Sequence, residues 1–329
     1  MLLQSLRIPV CGGLFPQVIH GTRHLSTGSI VCGFYQEISV LEVTGLSDEQ
    51  SDFRGQMSEF AEHTPSNSSL LVFVDGASSR IAYFLEECYG LFGANCQYLG
   101  GGTGSSTNRS QPSIVTNSGV KKDCAQLISI PRPMTTSVEH GWNKIAGPFL
   151  VTSASNNIIH TLDYRPAFET YQEAIRESTG EDISLENFHH QSHLYPFGMS
   201  RIDSAVVVRE TFKVKGDSLV CVGEIPENQL VYILYGTTLS LINASKQAAT
   251  SLTGAGRYDK SFPVLIFDCI SRVFFLRKQF QEELTGIDAT LTARGHTIGA
   301  LTMGEIACSG DTCLEFYNKS IVLGVFHEP

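Results

Sequence analysis

PVLIFDC (263–269), SRVFFLRKQFQEEL (271–284) and TIGALTMGEIA (297–307) read in order as a buried strand, a helix packed upon it and a second strand with a glycine-containing end. The first run is continuously apolar and rich in β-branched and aromatic residues, which suits a strand covered on both faces. The second repeats its apolar residues three and four apart, which suits a helix with one buried face. The run KSIVLGVF (319–326) supplies a further apolar strand.

The same succession occurs earlier as SLLVFVDG (69–76), IAYFLEECYGLF (81–92), CQYLGGGTGS (96–105) and GVKKDCAQLISI (119–130). Such self-similarity indicates an internal duplication. The expected fold is therefore mixed α+β, with duplicated sheet-and-helix lobes that can layer as αββα and a strand order the sequence leaves open. RIPVCGGLFPQVI (7–19) followed by GSIVCGFYQEISVLEV (28–43) resembles the back half of the unit without its leading strand and helix, and this start is expected to lack an upstream part. Between the copies, residues 141–175 read as strand, tight turn at Asn156-Asn157, strand and helix. The polar stretches 46–68 and 103–118 read as mobile loops; 245–260 is a third such stretch, with helical character in its first half.

With 329 residues, 42% hydrophobic and 17% charged, the chain has room for one large or two medium globular units. No stretch approaches the roughly 18 continuous apolar residues of a membrane span, and no membrane insertion is expected. The net charge of −10 argues against nucleic acid as a partner. Pro9 and Pro16 interrupt the apolar start, so no export signal is read, and nine cysteines without C-x-x-C spacing fit reduced thiols in a cytoplasmic setting.

Several groups could carry chemistry. Gly100, Gly101 and Gly102 end a strand, where backbone N–H groups could converge on an anion or the glycines could simply permit close packing. Asp268, Cys269 and Arg272 stand where a strand passes into a helix: Arg272 could hold a ligand carboxylate, and Asp268 could accept an amino group or merely cap. The alternative has Arg272 paired with Glu305 or Asp75. Asp75-Gly76 and Gly304-Glu305 look like equivalent acidic turns, suited to an ammonium group or to turn stabilisation. Cys269 is the one candidate nucleophile, with His140, His160, His190, His193 and His296 as candidate partners. The HHQSH run (189–193) has metal-ligand spacing but lacks a completing ligand, and neither metal nor cofactor is expected.

The order of many short segments resembles the FIST family: LVFVDG and QYLGGGTG, then residues 141–171, HLYPFGMSRIDSAVVVRE, LVCVGEIPENQLVYIL, FDCISR, GALTMGEIA and EFYNKSIVLGVF. The resemblance implies a FIST N-type half at 1–137, and a connector with a FIST C-type half at 138–329. It also implies a non-enzymatic cytoplasmic sensor of small polar ligands such as amino acids, coupled to a downstream signalling protein or, in some relatives, to an F-box. The ligand would meet Asp75, Gly76, Gly100, Gly101, Gly102, Asp268, Cys269, Arg272, Gly304 and Glu305. A protein-interaction platform without a metabolite, and a cysteine-dependent enzyme, are the alternatives.

Overall fold

The run VLIFDC is buried at every residue, so it needs a strand on each edge and a layer on each face. The computed structural model describes residues 7–105, 111–201, 205–254, 259, 261–291, 296–308 and 314–328, and supplies all four neighbours. Numbering elements along the chain, β19 (Val264–Cys269) lies parallel to β20 (Thr297–Thr302) and antiparallel to β23 (Ile321–Phe326). β10 (Met134–Glu139) extends the sheet beyond β23, and the hairpin β2 (Gln17–His20)–β3 (Arg23–Leu25) extends it beyond β20.

The first copy repeats this frame. β5 (Ser69–Asp75) is parallel to β6 (Gln97–Thr103) and antiparallel to β9 (Cys124–Ile130), with β4 (Ser39–Thr44) on the outer edge. The hairpin β21 (Glu305–Cys308)–β22 (Leu314–Tyr317) closes the other edge against β6. The strand orders β10-β23-β19-β20-β2-β3 and β4-β9-β5-β6-β21-β22 thus match position for position. Each sheet completes itself with strands from the other half of the chain: β2, β3 and β10 in one, β21 and β22 in the other.

The ladders fix the equivalence residue by residue. Val72 opposite Gly100 corresponds to Ile266 opposite Gly299, because a Cβ on either glycine would stand 1.8 or 1.7 Å from the carbonyl oxygen of the facing strand residue. Only glycine permits that approach. The same register makes Thr103 the counterpart of Thr302, Asp75 of Cys269, and Asp123 of Lys319; the last two share a left-handed φ of 53° and 55°.

The sheets face one another, and Phe73 of β5 meets Phe267 of β19 with ring centroids 5.8 Å apart. Helices cover the outer faces: α1 (Phe53–His63) and α2 (Ile81–Phe92) on the first sheet, and α5 (Thr238–Thr253), α6 (Ile270–Leu276) and α7 (Phe280–Leu291) on the second. The layering is helix–sheet–sheet–helix, as the sequence suggested. Each fully buried Leu, Ile or Phe in these seams contributes roughly 1.5–3 kcal/mol.

An antiparallel sheet fills the interval between the copies: β11 (Asn143–Ser155), β12 (Ile158–Leu162), β13 (Arg165–Pro166), β14 (Phe197–Met199), β15 (Val207–Arg209), β16 (Thr211–Lys215), β17 (Ser218–Cys221) and β18 (Leu230–Tyr235). The tight turn falls at Asn156, at φ 52°, and α3 (Ala167–Thr179) buries Phe168, Tyr171 and Ile175. The short α4 (Phe188–Gln191) carries His189 and His190. A small sheet of β1 (Cys11–Gly13), β7 (Ile114–Thr116) and β8 (Gly119–Lys121) completes the set.

Three local expectations change. The polar stretch 46–68 contains α1, capped by Asp52 through a 2.8 Å bond from Gly55 N–H and anchored by buried Phe53 and Met57. The helix expected over 271–284 breaks at Arg277, whose φ of 51° separates α6 from α7. The chain start forms the β2–β3 hairpin and the edge strand β4 rather than the back half of a unit. Within the stretches 103–118 and 245–260, residues 106–110, 255–258 and 260 lie outside the described residues. Among the described residues no helix is long and apolar enough to cross a membrane.

Candidate functional site

β19 delivers Asp268 and Cys269 to the point where the chain turns into α6, and Arg272 follows one helical turn later. The guanidinium is fully buried and every N–H is used. Nε and Nη2 donate to Glu283 Oε1 at 3.0 and 2.6 Å, Nη2 also to the Leu241 carbonyl at 3.0 Å, and Nη1 to the carbonyls of His140 and Lys319 at 2.8 and 3.2 Å. Asp268 Oδ1 lies 3.3 Å from Nε. Arg272 therefore ties α5, α7 and the turn before β23 to the strand end and has no donor left for a ligand; its ion-pair partners are Glu283 and Asp268, not Glu305 or Asp75.

Asp268 is in a different condition. It is completely buried and neither carboxylate oxygen accepts a hydrogen bond from a described residue, which also holds for Glu283 Oε2. Burial, then the Glu283 charge, pushes the Asp268 carboxyl well above its ordinary range against the pull of Arg272. Burial likewise raises Glu283. Glu305 reaches the same place from the exchanged hairpin: Oε1 accepts from Thr302 Oγ1 at 2.7 Å and Oε2 from Ser320 N–H at 3.2 Å. Burial lifts its carboxyl to about 8 despite those bonds. The strand end is acid-rich, and protons take up the excess charge.

Cys269 lies beside this group at 3% exposure, with its thiol 3.4 Å from Ser271 Oγ. Burial and the neighbouring Glu305 push the thiol well above its ordinary value. Its side-chain hydrogen-bond partners are Ser271 and Glu305, so the histidine pairing that a nucleophilic thiol needs is not formed among the described residues. Ser271 donates to Glu210 Oε2 at 2.7 Å; Glu210 Oε1 pairs with Lys319 Nζ at 2.8 Å, and that ammonium lies 5.2 Å from the Trp142 ring centroid. Ser271, Glu210 and His193 are partly exposed beside this group; burial, then the Lys319 charge, lowers His193.

The corresponding end of the first copy is closed. Asp75 Oδ1 accepts from Ala77 N–H at 3.2 Å and Oδ2 from Asp123 N–H at 2.7 Å, while Ser78 donates to Asp123 at 3.0 Å. Asp75 stabilises a turn, and its counterpart by register is Cys269 rather than Glu305. Gly100, Gly101 and Gly102 lie inside β6, and the Gly102 N–H donates to the Gly304 carbonyl at 2.7 Å. A Cβ on Gly101 would meet Thr302 at 2.7 Å, so these glycines bring β6 against the 302–304 turn rather than forming an anion nest. Gly304, at φ 116°, has its open face against the Phe316 ring, while Gly76 packs on Met303.

The structure thus gathers Asp268, Cys269, Arg272 and Glu305, and keeps Asp75 in its own turn. Reading the sequence by motif missed Glu210, Ser271, Glu283, Lys319 and Trp142 as members of one group. One signal was available: VVVRE (206–210) ends an apolar run with adjacent charges, and buried charges at such places demand partners. Among the described residues no group of three or more His, Cys, Asp and Glu side chains is placed to hold a metal ion.

The fold and the gathered strand end define a two-lobed, internally duplicated α+β domain. The chain belongs to the FIST family: the FIST N domain matches residues 2–165 and the FIST C domain residues 167–308. No curated protein matches the chain. Membership supports a sensory role in signal transduction in general.

Proposed function

We propose that this chain senses a small, amino-bearing polar metabolite, amino-acid-like in character, at the end of β19, and passes the event to a downstream signalling protein. The observation that carries the reading is Asp268, a completely buried carboxyl group with neither oxygen hydrogen-bonded by a described residue. An ammonium group entering past Ser271 and Glu210 would satisfy Asp268 and Glu305 and release their protons. A buried carboxyl group whose oxygens accept no hydrogen bond otherwise costs about 1–3 kcal/mol. Because the same group joins α5, α6, α7 and the exchanged hairpin, binding would shift the population of lobe arrangements that a partner reads.

A thermal-shift screen against amino acids, amines and carboxylates tests this, since a ligand that prefers the native state raises apparent stability by mass action. A saturable shift with amino compounds, absent in Asp268→Asn, is the expected result; equal shifts in both proteins would sink the assignment. A second reading, an interaction platform without a metabolite, is favoured by one observation: the side chains of Arg272, Glu283 and Trp142 already fill much of this strand end. A clean melt with no shift would favour it.

A further inference from the structure

The buried charges at the β19 end do not balance. Asp268, Glu283 and Glu305 are completely buried, and the cations packed among them are already engaged. Arg272 spends its donors on Glu283 and on the carbonyls of His140, Lys319 and Leu241. Lys319, itself buried, holds Glu210 Oε1 at 2.8 Å. His140 Nδ1 accepts the Trp142 backbone N–H at 2.9 Å, so this ring serves as a neutral acceptor rather than a cation. Arg277 acts on His193 but is exposed, and an ion pair made in solvent contributes little.

What stays unpartnered is acidic. Both oxygens of Asp268 and Oε2 of Glu283 accept no hydrogen bond from a described residue. An α-amino acid brings an ammonium group that suits these oxygens, and on the same carbon a carboxylate that would meet three acids and no uncommitted buried cation. Carrying that second charge into the interior costs desolvation and like-charge repulsion. The neighbouring wall is aromatic: the Trp142 ring faces the Lys319 ammonium at 5.2 Å, and Phe275 packs edge-on against Trp142 with centroids 5.1 Å apart. Such a wall suits an alkyl group or an ammonium, not a carboxylate.

We infer that the ligand of this site is a small primary amine without a carboxylate, and that the surplus of buried acid excludes amino acids. The three N–H donors of a primary ammonium match in number the three unpartnered acceptors, two on Asp268 and one on Glu283. The inference rests on the reading of Asp268 as the ligand's anchor and narrows it: the amino group is kept and the carboxylate is refused.

The test is thermal shift of the full chain at neutral pH with ethylamine, alaninamide, alanine and sodium acetate, against sodium chloride at matched ionic strength. Ethylamine is alanine without its carboxylate, and alaninamide keeps alanine's shape without the negative charge. The expected result is a saturable rise with ethylamine and alaninamide, at midpoints at least roughly tenfold below that of alanine, abolished in Asp268→Asn. Equal midpoints for ethylamine and alanine, both lost in Asp268→Asn, would overturn the narrowing and leave the Asp268 reading standing. A response to ethylamine but not alaninamide, or any response to acetate beyond that to chloride, would likewise overturn the exclusion by charge. No response to any amino compound, or responses that Asp268→Asn leaves intact, would overturn both readings. If Asp268→Asn does not fold, Glu305→Gln, which keeps the side-chain shape and removes the neighbouring acid, decides in its place.

Discussion

The ends of β5 and β19 occupy equivalent positions in one duplicated frame yet hold their charges in opposite ways. In both, a threonine at the end of the parallel neighbour donates to a carbonyl of the central strand, Thr103 to Val74 at 3.0 Å and Thr302 to Asp268 at 3.2 Å. Around that shared bond, Asp75 finds two backbone N–H partners and a local turn closes, whereas β19 collects three buried acids around one arginine. The backbone devices of the duplication persist while the side chains diverge. Two backbone amides, Ala77 beside it and Asp123 from the loop before β9, satisfy Asp75, whereas a buried charge cluster recruits from every neighbouring element.

That contrast can be broken most sharply at Arg272. Replacing it with alanine should cost about 3–5 kcal/mol in urea denaturation, because Glu283 and Asp268 lose their shared cation in the interior. A cost no larger than that of Asp75→Ala would erase the distinction between the two ends. The shared part of the frame is tested by Gly100→Ala and Gly299→Ala, whose Cβ atoms would meet facing carbonyls at 1.8 and 1.7 Å; each should lose at least about 1–3 kcal/mol, and by similar amounts. A large loss at one position only would mean the lobes are not equivalent there.

Asp75→Ala should cost about 1–3 kcal/mol, the penalty of stranding the Asp123 and Ala77 amides. The β19 end should respond to pH. Glu305 titrates near 8 in the folded chain, above its ordinary 4.5, so the folded state retains a proton the unfolded chain releases, and stability falls as pH rises through that interval. His140 works the other way: burial lowers it from 6.5 to about 4, and its contribution is lost as pH falls through that range. Between pH 6.5 and 8 the decline from Glu305 is therefore unopposed by His140. Glu305→Gln should flatten it, measured as denaturation midpoints across that window. An unchanged slope would place the proton elsewhere.

The strands of the duplication were legible because VLIFDC and LLVFVD are continuous apolar runs with acidic ends, and the Asn156-Asn157 turn because its chemistry is local. Helix α1 was hidden by a polar composition in which few residues, Phe53, Met57, Phe60 and Ala61 among them, face inward. The break at Arg277 carries no glycine or proline to announce it. At the site, Asp268, Cys269 and Glu305 were within reach of motif reading because they end strands. Glu283 and Glu210 were not, since Glu283 joins across the break at Arg277 and Glu210 through a long-range contact, and Arg272 was misassigned because its donors are consumed by carbonyls whose sequence positions are far away. Strand order was beyond reach because the edge strands are traded between halves.

That trade has a practical meaning for anyone dividing the molecule. A cut between residues 165 and 167, where one family domain gives way to the next, falls at β13, which pairs with β12, divides the middle sheet, and leaves β2, β3 and β10 on one fragment and β21 and β22 on the other. Each fragment would hold the missing border of its sibling and an unprotected border of its own. The two pieces are thus obligate complements, suited to reconstitution when mixed and to clumping when kept apart.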